Sequence, residues 1–275
     1  MDSYQIEHLS YSQYRTYKSC PRSWYLGKVR RAEEIQTWYI PIGRAVHDMI
    51  EAHLSPAIEA PKGAEQFFYP LVSAQMEIEP DASKWLASGP AGDPYVEERA
   101  LRHVQECFEA ALVELESIDV WEVEYDASGR LPGLDVPVVA YIDIIGEHKK
   151  KGPVIWDWKT GGTKPDNFQL ETYAALLMTE GSKTYDGFPF KGRYVMISPS
   201  YESSTRHVDL SSVSPTEVGA KYQEAYEAMT KKIYKTNHGF GCRFCFHQDN
   251  CRVNAGPLSA RANYYDRSHE DGFEF

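Results

Sequence analysis

The stretch VIWDWKTGG, Val154 to Gly162, begins as an apolar run of strand composition and then sets Asp157 and Lys159 two positions apart. Side chains two apart on a strand project from the same face, so an extended VIWDWK carries its aspartate and lysine together. A third charge, Asp143, interrupts the apolar run VVAYIDII (138–145) of the preceding strand. Charged groups are seldom buried unless they are paired or bound to metal, because desolvating them is costly. Two readings follow. One is an Asp–Lys ion pair at the end of a sheet. In the other, Asp143 and Asp157 hold a hard divalent cation, Mg²⁺ or Mn²⁺, that polarises a phosphodiester, and Lys159 orients the attacking water or offsets developing charge.

Outward from this stretch, WEVEY, VPVVAYIDIIGE and PVIWDWK read as three strands joined by the turn-rich DASGRLPGLD and by HKKKG. DNFQLETYAALLMTE follows as a helix with Asp166 or Asn167 near its N-cap. GRYVMIS is a further strand, RHVDLS a candidate partner for it, and SPTEVGAKYQEAYEAMTKKIY a helix opening at Ser214-Pro215. On the N-terminal side, LSYSQYRTYKSCPRSWYLGKV reads as a helix entered at Ser10 or Ser12, broken near Cys20-Pro21 and then resumed. PIGRAVHDMIEAHL places Val46, Met49, Ile50 and Leu54 on one apolar side, and an acidic helical region runs from about Pro94 to Ser117. This order predicts an α/β or α+β architecture: a central mixed sheet flanked by helices, with an N-terminal helical region.

The 275 residues, 42% hydrophobic and 13% aromatic, suffice for one large domain over 1–275. No apolar run is long enough to span a bilayer and the N-terminus lacks an apolar leader core, so the expectation is a cytoplasmic protein with no membrane partner. The net charge of −11 is unevenly spread. Fourteen acidic residues face three basic ones between Glu77 and Asp126, whereas Met1 to Arg31 holds six basic against two acidic. Local fields outweigh the total over distances beyond about 10 Å, so a nucleic-acid partner stays open. The N-terminal basic residues, Lys149 to Lys151 and Arg193 are candidate phosphate contacts.

Five cysteines in a chain without a secretion signal argue against a disulfide framework. Cys242-x2-Cys245-x5-Cys251 has the close spacing of metal or cluster ligation, Cys20 lies far away in sequence, and spacing alone leaves zinc and an iron–sulfur cluster both open. Cys107 reads as a packed helix residue.

Together these residues resemble the PD-(D/E)XK nucleases, specifically the RecB-like branch that includes the CRISPR-associated RecB-type exonucleases and the AddB-type nuclease domain. In that pattern an Asp on one strand precedes acidic-x-Lys on the next, here Asp143 and then Asp157-Trp158-Lys159. The upstream G-x-x-x-H matches Gly43 to His47, and Q-x-x-x-Y matches Gln169 to Tyr173. The family often has Gly three residues before its first Asp; this chain has Ala140. The resemblance implies a restriction-endonuclease-like core and a metal site of His47, Asp143, Asp157 and the Trp158 backbone carbonyl. It further implies Lys159 as a catalytic residue, with Gln169 and Tyr173 contacting DNA or steadying the site. It implies a 4Fe-4S cluster on Cys20, Cys242, Cys245 and Cys251, in which residue 20 and the tail 238–255 staple the chain ends together.

The implied activity is exonucleolytic hydrolysis of DNA, first of all at single-stranded ends, in recombination, repair or phage DNA processing. A helicase or recombination protein is a conceivable partner, since the chain has no G-x-x-x-x-G-K-[ST] loop of its own. Two rivals are a non-catalytic DNA-binding module that keeps the cluster and a zinc-stabilised structural protein. The segment 55–92 matches no motif and reads as an insertion; its Phe67, Phe68, Tyr69 and Trp85 could stack on bases or pack in a core.

Overall fold

A computed structural model describes residues 4–86, 97–160, 166–179, 191–197 and 203–251. Gly161 and Gly162, residues 87–92 of the unmatched segment and 252–255 of the tail lie outside these ranges.

The chain opens with a short strand β1 (Leu9–Ser10), helix α1 (Tyr11–Ser19), helix α2 (Pro21–Trp24) and a π turn (Tyr25–Val29). Ser10 caps α1 by accepting from the Gln13 N–H, and the break falls at Cys20-Pro21, where Cys20 is extended and Pro21 starts the next helix. Helices α3 (Tyr39–Leu54), α4 (Glu65–Ile78) and α5 (Glu97–Leu115) follow. Strands β2 (Ile118–Asp126), β3 (Val138–Val139), β4 (Tyr141–His148) and β5 (Gly152–Lys159) then lead into α6 (Phe168–Thr179), β6 (Lys191–Ile197), β7 (Ser203–Asp209) and α7 (Pro215–Thr230).

Five strands form the central sheet in the order β2-β4-β5-β6-β7. Only β5 and β6 are parallel, which the crossover through α6 permits; every other neighbour is antiparallel. β1 and β3 form a separate parallel pair. The expected mixed sheet with flanking helices and an N-terminal helical region is thus present.

The sheet is covered on both sides, which explains why β5 reads as a nearly unbroken apolar run. On one side α3, α4 and α5 pack over Ile144, Val154, Trp156, Trp158 and Val195; on the other α1, α6 and α7 pack over Ile145, Ile155, Tyr194 and Val208. Trp156 and Trp158 lie in the first layer with ring centroids 4.9 Å apart. Asp157, between them, therefore faces the α6 layer.

The described part of the segment 55–92 belongs to the fold's first layer. Phe68 and Trp85 are buried against Trp38, with ring centroids 6.4 and 4.7 Å from it, and Phe67 packs on the same cluster. Tyr69 alone of the four aromatics is exposed. Core packing, the second of the two readings, accounts for the other three. Cys107 is fully buried in the same layer, as its place on α5 suggested.

Candidate active site

The β4–β5 ladder runs from His148↔Gly152 to Ile144↔Trp156 and stops there. Beyond it the strands part, and the Trp158 N–H is taken instead by the Asp143 side chain, whose Oδ2 accepts at 2.7 Å. This leaves Asp143 Oδ1 directed elsewhere, and it lies 3.7 Å from His47 Nδ1.

His47 arrives on α3. Gly43, one turn earlier, is on the same side of the helix. A Cβ at Gly43 would stand 3.1 Å from Thr160 Oγ1, at the end of β5, so glycine lets α3 approach the sheet end closely enough for the imidazole to meet Asp143. The G-x-x-x-H spacing thus has a packing reason.

Asp157 is buried, ion-paired through Oδ2 with Lys159 Nζ, and accepts from Gln169 Nε2 at 2.7 Å through Oδ1. The same Gln169 nitrogen lies 2.7 Å from the Tyr173 hydroxyl, one helical turn along α6. Burial holds the Asp157 carboxyl above its usual range; Lys159 opposes this and the nearby Asp143 adds to it. Lys159 also sits over the Tyr194 ring, 5.8 Å from its centroid. The Tyr194 hydroxyl donates to the Asp166 carbonyl at 2.7 Å, and Asp166 Oδ1 accepts from the Phe168 N–H at 2.9 Å, which fixes the start of α6 and hence Gln169.

The sequence reading missed Glu124. It falls between the register pairs Val123↔Ile144 and Tyr125↔Ile142, opposite Asp143 on the neighbouring strand. Its φ is +48°, a left-handed conformation inside a strand and unfavourable for a residue with a side chain. Ligand atoms of His47, Glu124 and Asp143 all lie within 4.8 Å of one another, the spacing a single cation needs. Burial first, and then the Asp143 charge, push Glu124 up to about 7. Two carboxylates opposed across a strand pair repel each other, and a cation between them removes that repulsion. One imidazole and two carboxylates suit Mg²⁺ or Mn²⁺, so these residues fit the metal that the pattern implies. Glu122 and Glu124 in WEVEY were the only sequence signal, and alternating acids in a strand ordinarily mark a solvated face.

A family model described as the PD-(D/E)XK nuclease superfamily matches residues 8–252. The chain belongs to that superfamily. The PD-(D/E)XK nuclease fold is consistent with nucleic-acid binding and hydrolysis, and among the described residues no helix is long and apolar enough to cross a membrane. Similar solved structures include the following two. The crystal structure of SSO0001 is 11% identical with a TM-score of 0.42, covering 92% of this chain and 89% of that one. A candidate exonuclease from Eubacterium rectale is 12% identical with a TM-score of 0.48, covering 97% of this chain and 94% of that one. No curated protein shows a sequence match.

Cys20, Cys242 and Cys245 come together where the two chain regions meet. Cys20 Sγ accepts from the Asn237 N–H at 3.5 Å, and Cys245 Sγ lies 3.7 Å from Ser23 Oγ. Burial raises the Cys245 thiol pKa, and Cys20 and Cys242 are close enough to raise it further. Backbone bonds from Arg22 N–H to the Lys235 carbonyl (3.1 Å) and from Ile35 N–H to the Phe246 carbonyl (2.8 Å) tie the two chain regions together. Among the described residues, the only group of three or more ligands at single-ion spacing is His47–Glu124–Asp143. His247 is buried with Nε2 3.6 Å from Glu34 Oε1.

The structure corrects the reading of Arg193 as a phosphate contact. The residue is 5% exposed, and its guanidinium is ion-paired with Glu114 and stacked 4.1 Å above the Trp156 ring. An arginine placed in this way is part of the α5–sheet packing and cannot reach a nucleic acid. Lys149 donates to the Glu116 carbonyl at 2.6 Å and remains exposed.

Proposed function

We propose that this PD-(D/E)XK protein is a metal-dependent DNA exonuclease of the RecB-like branch, acting on single-stranded ends and carrying a 4Fe-4S cluster. The observation that carries the catalytic reading is the opening between β4 and β5, where Asp143, Asp157, Lys159 and His47 meet although they are scattered over 113 positions of sequence.

His47, Glu124 and Asp143 would hold Mg²⁺ or Mn²⁺, with Asp157 and the Trp158 backbone carbonyl as further oxygen ligands. When bound, such a cation polarises a phosphodiester and lowers the pKa of water. Lys159 keeps its ammonium at the reaction centre because Asp157 holds it there; it orients the water and offsets negative charge on phosphorus-bound oxygens. Gln169, fixed between Asp157 and Tyr173, sets the Asp157 carboxylate in one rotamer. The basic N-terminal residues contribute phosphate contacts.

The cluster reading is supported by the gathering of Cys20, Cys242 and Cys245 at the junction of the chain's two ends. A cubane is larger than a single ion and holds its thiolates farther apart than single-ion spacing. Bound there by Cys20, Cys242, Cys245 and Cys251, it would staple residue 20 to the tail 238–255 and couple its binding energy to folding of one domain.

The test uses anaerobically purified protein and end-labelled single- and double-stranded DNA, with Mg²⁺, Mn²⁺ or EDTA, beside Asp157→Ala. Cleavage that requires metal and vanishes in the variant is expected, and label release will give polarity and strand preference. Equal cleavage by Asp157→Ala, or none by metal-loaded wild type, would overturn the catalytic reading. Iron and sulfide analysis decides the cluster separately: a colourless protein with one zinc and no iron would replace it.

A further inference from the structure

Helix α3 brings more than His47 to the end of the sheet. His47 Nδ1 lies 3.7 Å from Asp143 Oδ1, and a Cβ at Gly43 would stand 3.1 Å from Thr160 Oγ1, so this side of the helix faces the reaction centre. At 3.6 residues per turn the order round α3 is Gly43, His47, Ile40, Arg44, spread over about 100°. Arg44 therefore stands about 60° round from His47 and about 4.5 Å back along the axis. It is the one lysine or arginine of α3. Both Arg44 and Ile40 are exposed, so the strip of helix beside the centre is open to solvent.

The ordinary reason for such an arginine is an ion pair along its own helix, and Arg44 has one: its Nε lies 3.9 Å from Asp48 Oδ2, four residues on. That pair explains little. The two side chains are 68% and 39% exposed, and exposed pairs contribute about 0–1 kcal/mol before salt screens them. Along a helix the favourable order sets the acid before the base, and here the base comes first. So weak a contact lets the guanidinium turn to a better acceptor, and a phosphate offers anionic oxygens that match its planar fork. The centre gathers the carboxyls of Glu124, Asp143 and Asp157, and a phosphate strand drawn past them gains from positive charge at the rim.

We propose that the Arg44 guanidinium binds a backbone phosphate of the nucleic acid next to the phosphate held at the His47–Asp143 site, exchanging Asp48 for it. The assignment rests on the nuclease reading above. It makes the exposed strip of α3 one wall of the substrate cleft and gives Arg44 the task of fixing the strand's register on the enzyme, since a phosphate contact positions without reading sequence.

Arg44→Gln removes the charge and Arg44→Lys keeps it without the fork. Single-stranded oligonucleotide binding is measured in EDTA over a range of salt and cleavage in Mg²⁺, with single methylphosphonate substitutions walked along the strand. Arg44→Gln is expected to keep its melting temperature and its Mn²⁺ affinity by calorimetry, to raise Kd and KM about 10-fold, and to leave kcat within about 2-fold of wild type. The plot of log K against log salt should flatten by about 0.7, one phosphate's worth on a single strand, whereas Arg44→Lys keeps the slope and recovers part of the affinity. One methylphosphonate position should penalise wild type and leave Arg44→Gln unaffected, which a structural role for the side chain would not produce. Wild-type Kd and salt slope in Arg44→Gln, the same methylphosphonate pattern in both proteins, or a parallel loss of Mn²⁺ affinity would overturn the proposal. If wild type binds but never cleaves, the nuclease reading fails and the binding comparison alone decides Arg44.

Discussion

The Asp143 carboxylate accepts the Trp158 N–H at 2.7 Å, so a side chain replaces the backbone bond that would have continued the β4–β5 ladder. One oxygen is thereby anchored and the other is left toward His47. Charge and hydrogen bonding at this residue can be separated. Asp143→Asn keeps an acceptor for Trp158 and should fold with a nearly unchanged melting temperature while losing metal-dependent cleavage by about 1,000-fold or more. Asp143→Ala also orphans the N–H and should lose about 1–3 kcal/mol of stability in urea titrations. Equal stabilities for the two variants would show that the bond contributes nothing.

Glu124 links stability to pH with a definite sign. Its carboxyl is pushed up to about 7 in the folded chain from an ordinary 4.5. Below pH 4.5 it is protonated both folded and unfolded, and no penalty exists. Above pH 7 the folded state holds a carboxylate that the unfolded state would leave in water, so in metal-free protein the stability falls as pH rises through that window. Glu124→Gln should therefore melt higher than wild type in EDTA at pH 8 and about equally at pH 4.5. Saturating Mn²⁺ should reverse the order at pH 8, because the variant lacks the carboxylate the ion needs.

Gly43 sets the distance between α3 and the end of β5. Gly43→Val should weaken Mn²⁺ binding about 10-fold by moving His47 away from Asp143, as measured by calorimetry. Thr160→Ala removes the atom 3.1 Å from the added Cβ and should recover part of that loss in the double variant. Failure of the second change to help would place the effect elsewhere on α3.

Arg193 holds α5 to the sheet. Arg193→Met leaves Glu114 without its ion-pair partner in a half-buried position and should cost about 3 kcal/mol. Adding Glu114→Gln should restore part of it. Oligonucleotide affinity and its salt slope should not change in either variant; a flatter slope would restore Arg193 as a phosphate contact.

Much of this was legible in one dimension. A period of two placed Asp157 and Lys159 on one face, and a four-residue step placed Gln169 under Tyr173 and Gly43 under His47. Such relations are local, set by the repeat of a strand or a helix, and survive whatever the neighbours are. Cap chemistry marked helix starts for the same reason, at Ser10 or Ser12, at Asp166 or Asn167 and at Ser214; Ser10 and Ser214 cap α1 and α7, and Asp166 accepts from the Phe168 N–H that opens α6.

Other relations needed the folded chain. Glu124 becomes a candidate ligand only because β2 lies beside β4 in a register that sets it opposite Asp143, with a left-handed backbone no strand pattern announces. Arg193 was exposed in expectation and buried in fact, because β6 lies under the end of α5, where Glu114 waits. The sequence by itself determined which residues share a face of their own element. Which elements face one another was decided by tertiary structure, because strand order, register and helix docking arise from burial summed over the whole chain and no single segment encodes it.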